Sequence, residues 1–163
     1  MKKIFITIAI VVSFQQVEAQ TDSLPVYKRF PVIPLFNIMT APDSIKFGKA
    51  DLKRKKPTVI MLFSPDCSHC QIVTKELLAH IDLFKNFQII MTSSLDFSNI
   101  KKFYEDYKIA DYPNITMGRD GTYYLGTFYK IRTFPTIFLY NKKGKFVQSF
   151  EGDIKVEEIA NAL

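Results

Sequence analysis

The stretch that most constrains this chain is "TVIMLF", Thr58 to Phe63, followed without a break by "SPDCSHC". A continuous apolar, β-branched run of this length is the pattern of a strand covered on both faces. Gln71 to Phe84 then places Val73, Leu77, Ile81 and Phe84 at helical spacing, so a buried strand runs into a loop that opens a helix. "FQIIM", Phe87 to Met91, is a second covered strand, and Asp96 is placed to cap a helix whose stripe is Ile100, Phe103, Tyr104 and Tyr107. Residues 112–131 leave room for one short strand and one short helix. "PTIFLY", the turn "NKKGK" with Gly144 free to take positive φ, and "FVQSFEG" predict a hairpin, and Val156 to Leu163 a last amphipathic helix. Before all of these, "LFNIM" and "SIKF" suggest two short strands around the turn "TAPD". Strands alternating with helices early and a hairpin late predict an α/β fold, a mixed sheet with helices on both faces.

With 163 residues, 47% hydrophobic and 23% charged, the chain suits one domain with a proper core. Its beginning reads differently. "MKK", the apolar run Ile4 to Phe14, and small residues ending at Ala19 form the pattern of a cleaved export signal over residues 1–19. The run falls well short of the roughly 20 residues needed to span a bilayer, and no cysteine follows it for lipid attachment. Residues 20–33 carry two prolines and no periodicity, which predicts a linker before a domain over residues 34–163. Removing the leader takes away two lysines and one glutamate, so the net charge falls from +6 to +5. That is mild. The one dense basic cluster, "KRKK" at 53–56, lacks the aromatics and arginines of a nucleic-acid patch and reads as a solvated turn.

Cys67 and Cys70 are the chain's only cysteines, and an exported compartment permits them to form a disulfide. A bridge over two intervening residues removes little entropy from the unfolded chain, so stabilisation is a poor reason for it. A helix N-terminus favours a thiolate, and the first cysteine of a Cys-X-X-Cys pair there can have its pKa lowered to roughly 3.5 to 7.5. This makes Cys67 the expected attacking thiolate and Cys70 the resolving thiol. Asp66 is the expected N-cap, accepting from Ser68 or His69 N–H. His69 as an imidazolium would further stabilise the reduced form. Zinc wants four ligands in a structural site, and His80, the remaining histidine, lies about three turns along the helix. Covalent haem attachment wants histidine where Gln71 stands.

The covered strand, "SPDCSHC", the helix, and the later block "RTFPTIFLYNKKGKFVQSFEG" together resemble the thioredoxin fold. More narrowly they resemble exported thiol-disulfide oxidoreductases of the TlpA/ResA type, over roughly Pro34 to Leu163. The resemblance implies a thioredoxin-like three-layer sandwich, with residues 103–131 as the TlpA-type central insertion. It implies a cis Pro135 between Phe134 and Thr136, packed against the redox pair and guiding a partner chain. It implies protein thiols and disulfides as partners, a membrane electron donor, a periplasmic location, and neither metal nor cofactor. The chain departs from the pattern at Asp66, where thioredoxins have tryptophan, and at Met61, where they have a buried acid. Val73 stands in place of the ResA-type glutamate and Lys75 in place of a helix-kinking proline, which leaves the proton-handling group open.

The leading expectation is therefore an exported thiol-disulfide oxidoreductase. The resemblance favours reduction, whereas His69 argues for oxidation. Two other classes remain: a metallochaperone holding Cu(I) between Cys67 and Cys70, and a non-catalytic binding module using the aromatic-rich insertion. Nucleic acid and stable membrane insertion of the processed chain are not expected.

Overall fold

The computed structural model describes residues 24–163, so the export signal expected over residues 1–19 lies outside the described residues. Seven strands form one sheet: β1 (Asn37–Thr40), β2 (Ile45–Gly48), β3 (Thr58–Leu62), β4 (Gln88–Ser93), β5 (Ile115–Arg119), β6 (Thr136–Tyr140) and β7 (Phe146–Glu151). Their order across the sheet is β2-β1-β5-β4-β3-β6-β7. β4 lies parallel to both β3 and β5, and the other pairs are antiparallel. The helices are α1 (Val26–Arg29), α2 (Ser68–Ala79), α3 (Phe97–Asp106), α4 (Tyr124–Tyr129) and α5 (Val156–Asn161). The sheet is mixed as the sequence predicts. β5 and α4 supply the strand and helix expected within residues 112–131.

Alternation along the central strands sends side chains into two separate cores. Val59 and Met61 of β3, Ile89 and Met91 of β4, and Ile137 and Leu139 of β6 face the core that holds Cys70, Val73, Leu77, Phe103 and Ile159. Ile60, Leu62, Ile90, Phe138 and Tyr140 face the other, with Tyr27, Leu125 and Tyr129. Every residue of β3, β4 and β6 is buried, which a three-layer arrangement requires. β7 at the sheet edge is exposed or half-buried throughout except at Phe150.

Two boundaries differ from the expectation. The helix predicted to run to Phe84 stops at Ala79, where His80 takes φ −110° and ψ 28°, and a separate 3-10 turn covers Ile81–Phe84. That break still lets Phe84 reach full burial. The expected linker over residues 20–33 also needs correction for its described part. Tyr27 on α1 is buried, with its ring 5.1 Å from Phe138, 5.3 Å from Phe146 and 5.8 Å from Tyr129. The Phe146 N–H donates to Pro31 O at 2.9 Å, and Val32 bridges to Lys145. Three prolines at positions 25, 31 and 34 hide this from a periodicity reading, because the packing rests on single anchors.

The Tyr27 cluster locks α4 onto the sheet as well. Tyr129 stacks on Phe138 at 3.8 Å, and its hydroxyl meets the Tyr140 hydroxyl at 2.8 Å in the buried layer. Tyr27→Ala should therefore destabilise the protein by about 3 kcal/mol, the cost of deleting a large buried aromatic, measured by urea unfolding. A change below about 0.5 kcal/mol, typical of exposed positions, would show that the segment is only a tether.

Candidate active site

β3 delivers the chain to a tight loop whose geometry is set by its own backbone. Cys67 N–H donates to Ser64 O at 3.1 Å, and the Gln71 side-chain amide reaches back to Pro65 O at 2.9 Å. Cys67, not Asp66, is the N-cap of α2, and this corrects the expectation. Its Sγ accepts from Cys70 N–H at 3.4 Å. The loop turns one residue later than predicted, so Asp66 points to solvent and leaves the first-turn donors to the sulfur. Ser68 and His69 occupy the exposed side of that first turn. No hydrogen bond joins His69 to either sulfur among the described residues.

The second half of the site comes from the entry to β6. The Phe134–Pro135 peptide is cis, Pro135 is buried, and the Cys67 thiol donates to Phe134 O at 3.6 Å. Thr136 Oγ1 donates to Thr133 O at 2.7 Å and closes the turn beneath that carbonyl. The Phe134 ring is 37% exposed beside the half-exposed Cys67. Sixty-seven residues apart in sequence, Cys67 and Phe134 are neighbours because β3 and β6 pair directly, Leu62 opposite Thr136.

The two thiols, both reduced here, occupy contrasting surroundings. Cys70 is fully buried in the core that also holds Met61 and Val73. Burial, aided by the neighbouring Cys67 sulfur, pushes the Cys70 thiol up to about 12. Met61 and Val73, the positions at which the resemblance implies carboxylates, contribute apolar surface to that core. One turn along α2, Thr74 is also fully buried, and its Oγ1 has no hydrogen-bond partner among the described residues. Lys75 is exposed and lines a groove of about 580 Å³ that begins at Pro65 and Asp66 and is floored by Phe103 and Tyr107.

Asp120 was not among the expected site residues. It is 4% exposed, accepts from Leu125 N–H at 2.7 Å and Thr122 Oγ1 at 3.1 Å, and so ties α4 to the end of β5. With Leu62, Thr92, Tyr123 and Phe134 it lines a small cavity on the insertion side of the site. The turn-forming pair Asp120–Gly121 is its only sequence signal. His80 lies at the far end of α2, 3.5 Å from Glu157, and does not join the cysteines. No three of His, Cys, Asp and Glu come together as a metal cluster among the described residues.

A family model described as "Thioredoxin-like domain" matches residues 46–163. No curated protein matches the chain by sequence. Solved structures do match. The thioredoxin domain of a thiol-disulfide oxidoreductase from Bacteroides vulgatus is 24% identical with a TM-score of 0.64, covering 80% of this chain and 91% of that one. A secreted Mycobacterium tuberculosis disulfide oxidoreductase homologous to E. coli DsbE is 17% identical with a TM-score of 0.65, covering 78% and 93%. The exposed lipoprotein thioredoxin of Streptococcus pneumoniae is 18% identical with a TM-score of 0.64, covering 80% and 100%. At these identities the likeness shows the fold.

The contrast between the thiols has a direct chemical readout. A thiol held near 12 gains about tenfold in thiolate with each unit of rising pH below that value, and only the thiolate is alkylated. Iodoacetamide at pH 7 should therefore label Cys67 in the reduced native protein and spare Cys70, as read by peptide mass spectrometry. Equal labelling of the two at pH 7 would contradict the geometry.

Proposed function

The chain belongs to the thioredoxin-like domain family, and from that premise we propose that it is a thiol-disulfide oxidoreductase working through Cys67 and Cys70. The observation that carries this reading is the half-exposed Cys67 capping α2 above a fully buried Cys70, with the Phe134 carbonyl across from it. Such a pair offers one accessible sulfur to a partner and keeps the second in reserve.

In the reductive direction, the Cys67 thiolate attacks one sulfur of a partner disulfide. A Cys67–partner mixed disulfide forms and the other partner sulfur leaves as a thiolate that takes up a proton. Cys70 then loses its proton and attacks Cys67 Sγ, forming the Cys67–Cys70 disulfide and releasing the second partner thiol. Two electrons and two protons pass to the partner, and a dithiol donor must restore the pair. In the mixed disulfide Cys67 carries no charge, so one of the influences holding the Cys70 thiol up is removed when Cys70 must ionise.

Pro135 and the exposed Arg132 to Phe134 segment fit the role of aligning an extended partner chain, since backbone beside a redox sulfur can be paired strand-fashion. Asp66 and Ser68 shape the approach to Cys67. Reduction is favoured over oxidation by the resemblance and by His69, which faces solvent with no hydrogen bond to the thiol pair among the described residues. The leader over residues 1–19 supports export, with the periplasm as destination and a membrane-bound dithiol protein as donor. No helix among the described residues is long and apolar enough to cross a membrane.

Replacement of the resolving thiol separates the two steps. Cys70→Ser should accumulate a mixed disulfide with a disulfide-bearing substrate, seen on non-reducing gels, whereas Cys67→Ser should lose exchange altogether. Full exchange activity in Cys67→Ser would refute the assignment.

A further inference from the structure

The pole of the molecule opposite the thiol pair carries a basic concavity that the redox reading leaves unused. It has a volume of about 280 Å³ and is lined by the cluster Lys53 to Lys56, by Lys142 and Lys143 of the β6–β7 turn, and by Ile33. The two groups of cations are 86 residues or more apart in sequence and meet only because β3 begins, and β6 ends, at this pole. The five-residue strand β3, with its rise of about 3.3 Å per residue, separates this pole from Cys67 by on the order of 15 Å.

None of these six cations makes an ion pair among the described residues. The lining holds no acidic residue. Lys49, which also lines the concavity, is held by its hydrogen bond to Ile33 O. Nearby Asp51 is already occupied, accepting Gly48 N–H at 2.8 Å.

Exposed apolar side chains flank Ile33 in the same N-terminal segment. Ile33 N–H donates to Gly144 O at 3.2 Å and fixes the N-terminal segment beside the basic turn. Phe30 is 57% exposed, Val32 44% and Leu35 78%. Val32 pairs with Lys145, and Arg29 lies 5.5 Å from the Phe30 ring centroid, so two of these exposed apolar groups each sit beside a cation.

We propose that this pole is a peripheral docking face for an anionic lipid surface. Unpaired lysines would meet the headgroup phosphates, while Phe30, Val32 and Leu35 would reach the headgroup–acyl boundary. A juxtaposition of basic and exposed apolar side chains matches such an interface. An acidic protein or a free polyanion would use the charge and leave the exposed apolar side chains unexplained. Docked in this way, the protein holds its thiol pair on the face turned away from the lipid, open to partners on that side. The proposal stands independently of the direction of thiol exchange.

The test is sedimentation of the full chain with phosphatidylcholine vesicles, with and without phosphatidylglycerol at roughly one-third of the lipid. Residues 1–23 are shared by all variants, so differences between variants read the pole. Wild type should bind the anionic vesicles more strongly and lose that increment as salt rises. The triple variant Lys53→Glu, Lys55→Glu, Lys142→Glu should lose the increment by at least about tenfold, given the contribution of each cation near such a surface. Its fold is checked by circular dichroism. Phe30→Ser with Val32→Ser should weaken binding several-fold with all cations in place. An anionic increment that is absent, or that survives charge reversal, would overturn the proposal. So would release by inorganic phosphate at matched ionic strength, which indicates a free-anion site, or capture of an acidic protein on this face without vesicle binding.

Discussion

The redox end of this protein rests on one unusual hydrogen bond, in which the Sγ of Cys67 stands where a helix ordinarily uses a side-chain oxygen as its N-cap. Helix N-termini leave donors that must be satisfied, and the macrodipole there favours negative charge. Using the sulfur for this purpose places Cys67 Sγ at the surface by the same geometry that starts α2, as the proposed attacking role requires. It also forces Cys70, one turn on, into the core. Exposure of one thiol and burial of the other are thus two consequences of a single helix start.

What holds this arrangement in place is spread over both faces of the sheet. Beneath α2 the apolar core of Met61, Val73 and Leu77 keeps water from Cys70. On the opposite face the aromatic layer of Tyr27, Tyr129, Phe138 and Tyr140 fixes β6, whose first residues position the Phe134 carbonyl against Cys67. Burial also drives the Tyr129 hydroxyl well above its usual titration range, so its pairing with Tyr140 persists as a neutral hydrogen bond. Asp120 joins the insertion to this frame through the start of α4. The site is therefore supported by three stretches of chain that meet only in the folded state.

Much of this was legible in the sequence, for identifiable reasons. Continuous apolar runs announced β3, β4 and β6 because all three are covered on both faces, and the Cys67–Cys70 spacing announced a helix start. The hairpin followed from Gly144, whose φ of 71° a glycine adopts without strain. What escaped were features decided by single contacts. Whether Asp66 or Cys67 caps α2 depends on a one-residue shift of the loop, which spacing cannot resolve. Tyr27 among prolines gave no period, and the break at His80 reflects a local conformation at the end of a helical stripe. The basic pole was visible only in part, since Lys142 and Lys143 join residues 53–56 through sheet topology.

The central claim is that Cys67 and Cys70 act as one dithiol, and it is tested most directly by equilibrating the reduced protein against thiol-disulfide buffers of known potential. The account predicts a single two-electron couple at or below about −250 mV, near that of thioredoxin. Two thiols that never form an intramolecular disulfide would contradict it. A couple between about −180 and −120 mV would keep the dithiol and reverse its direction.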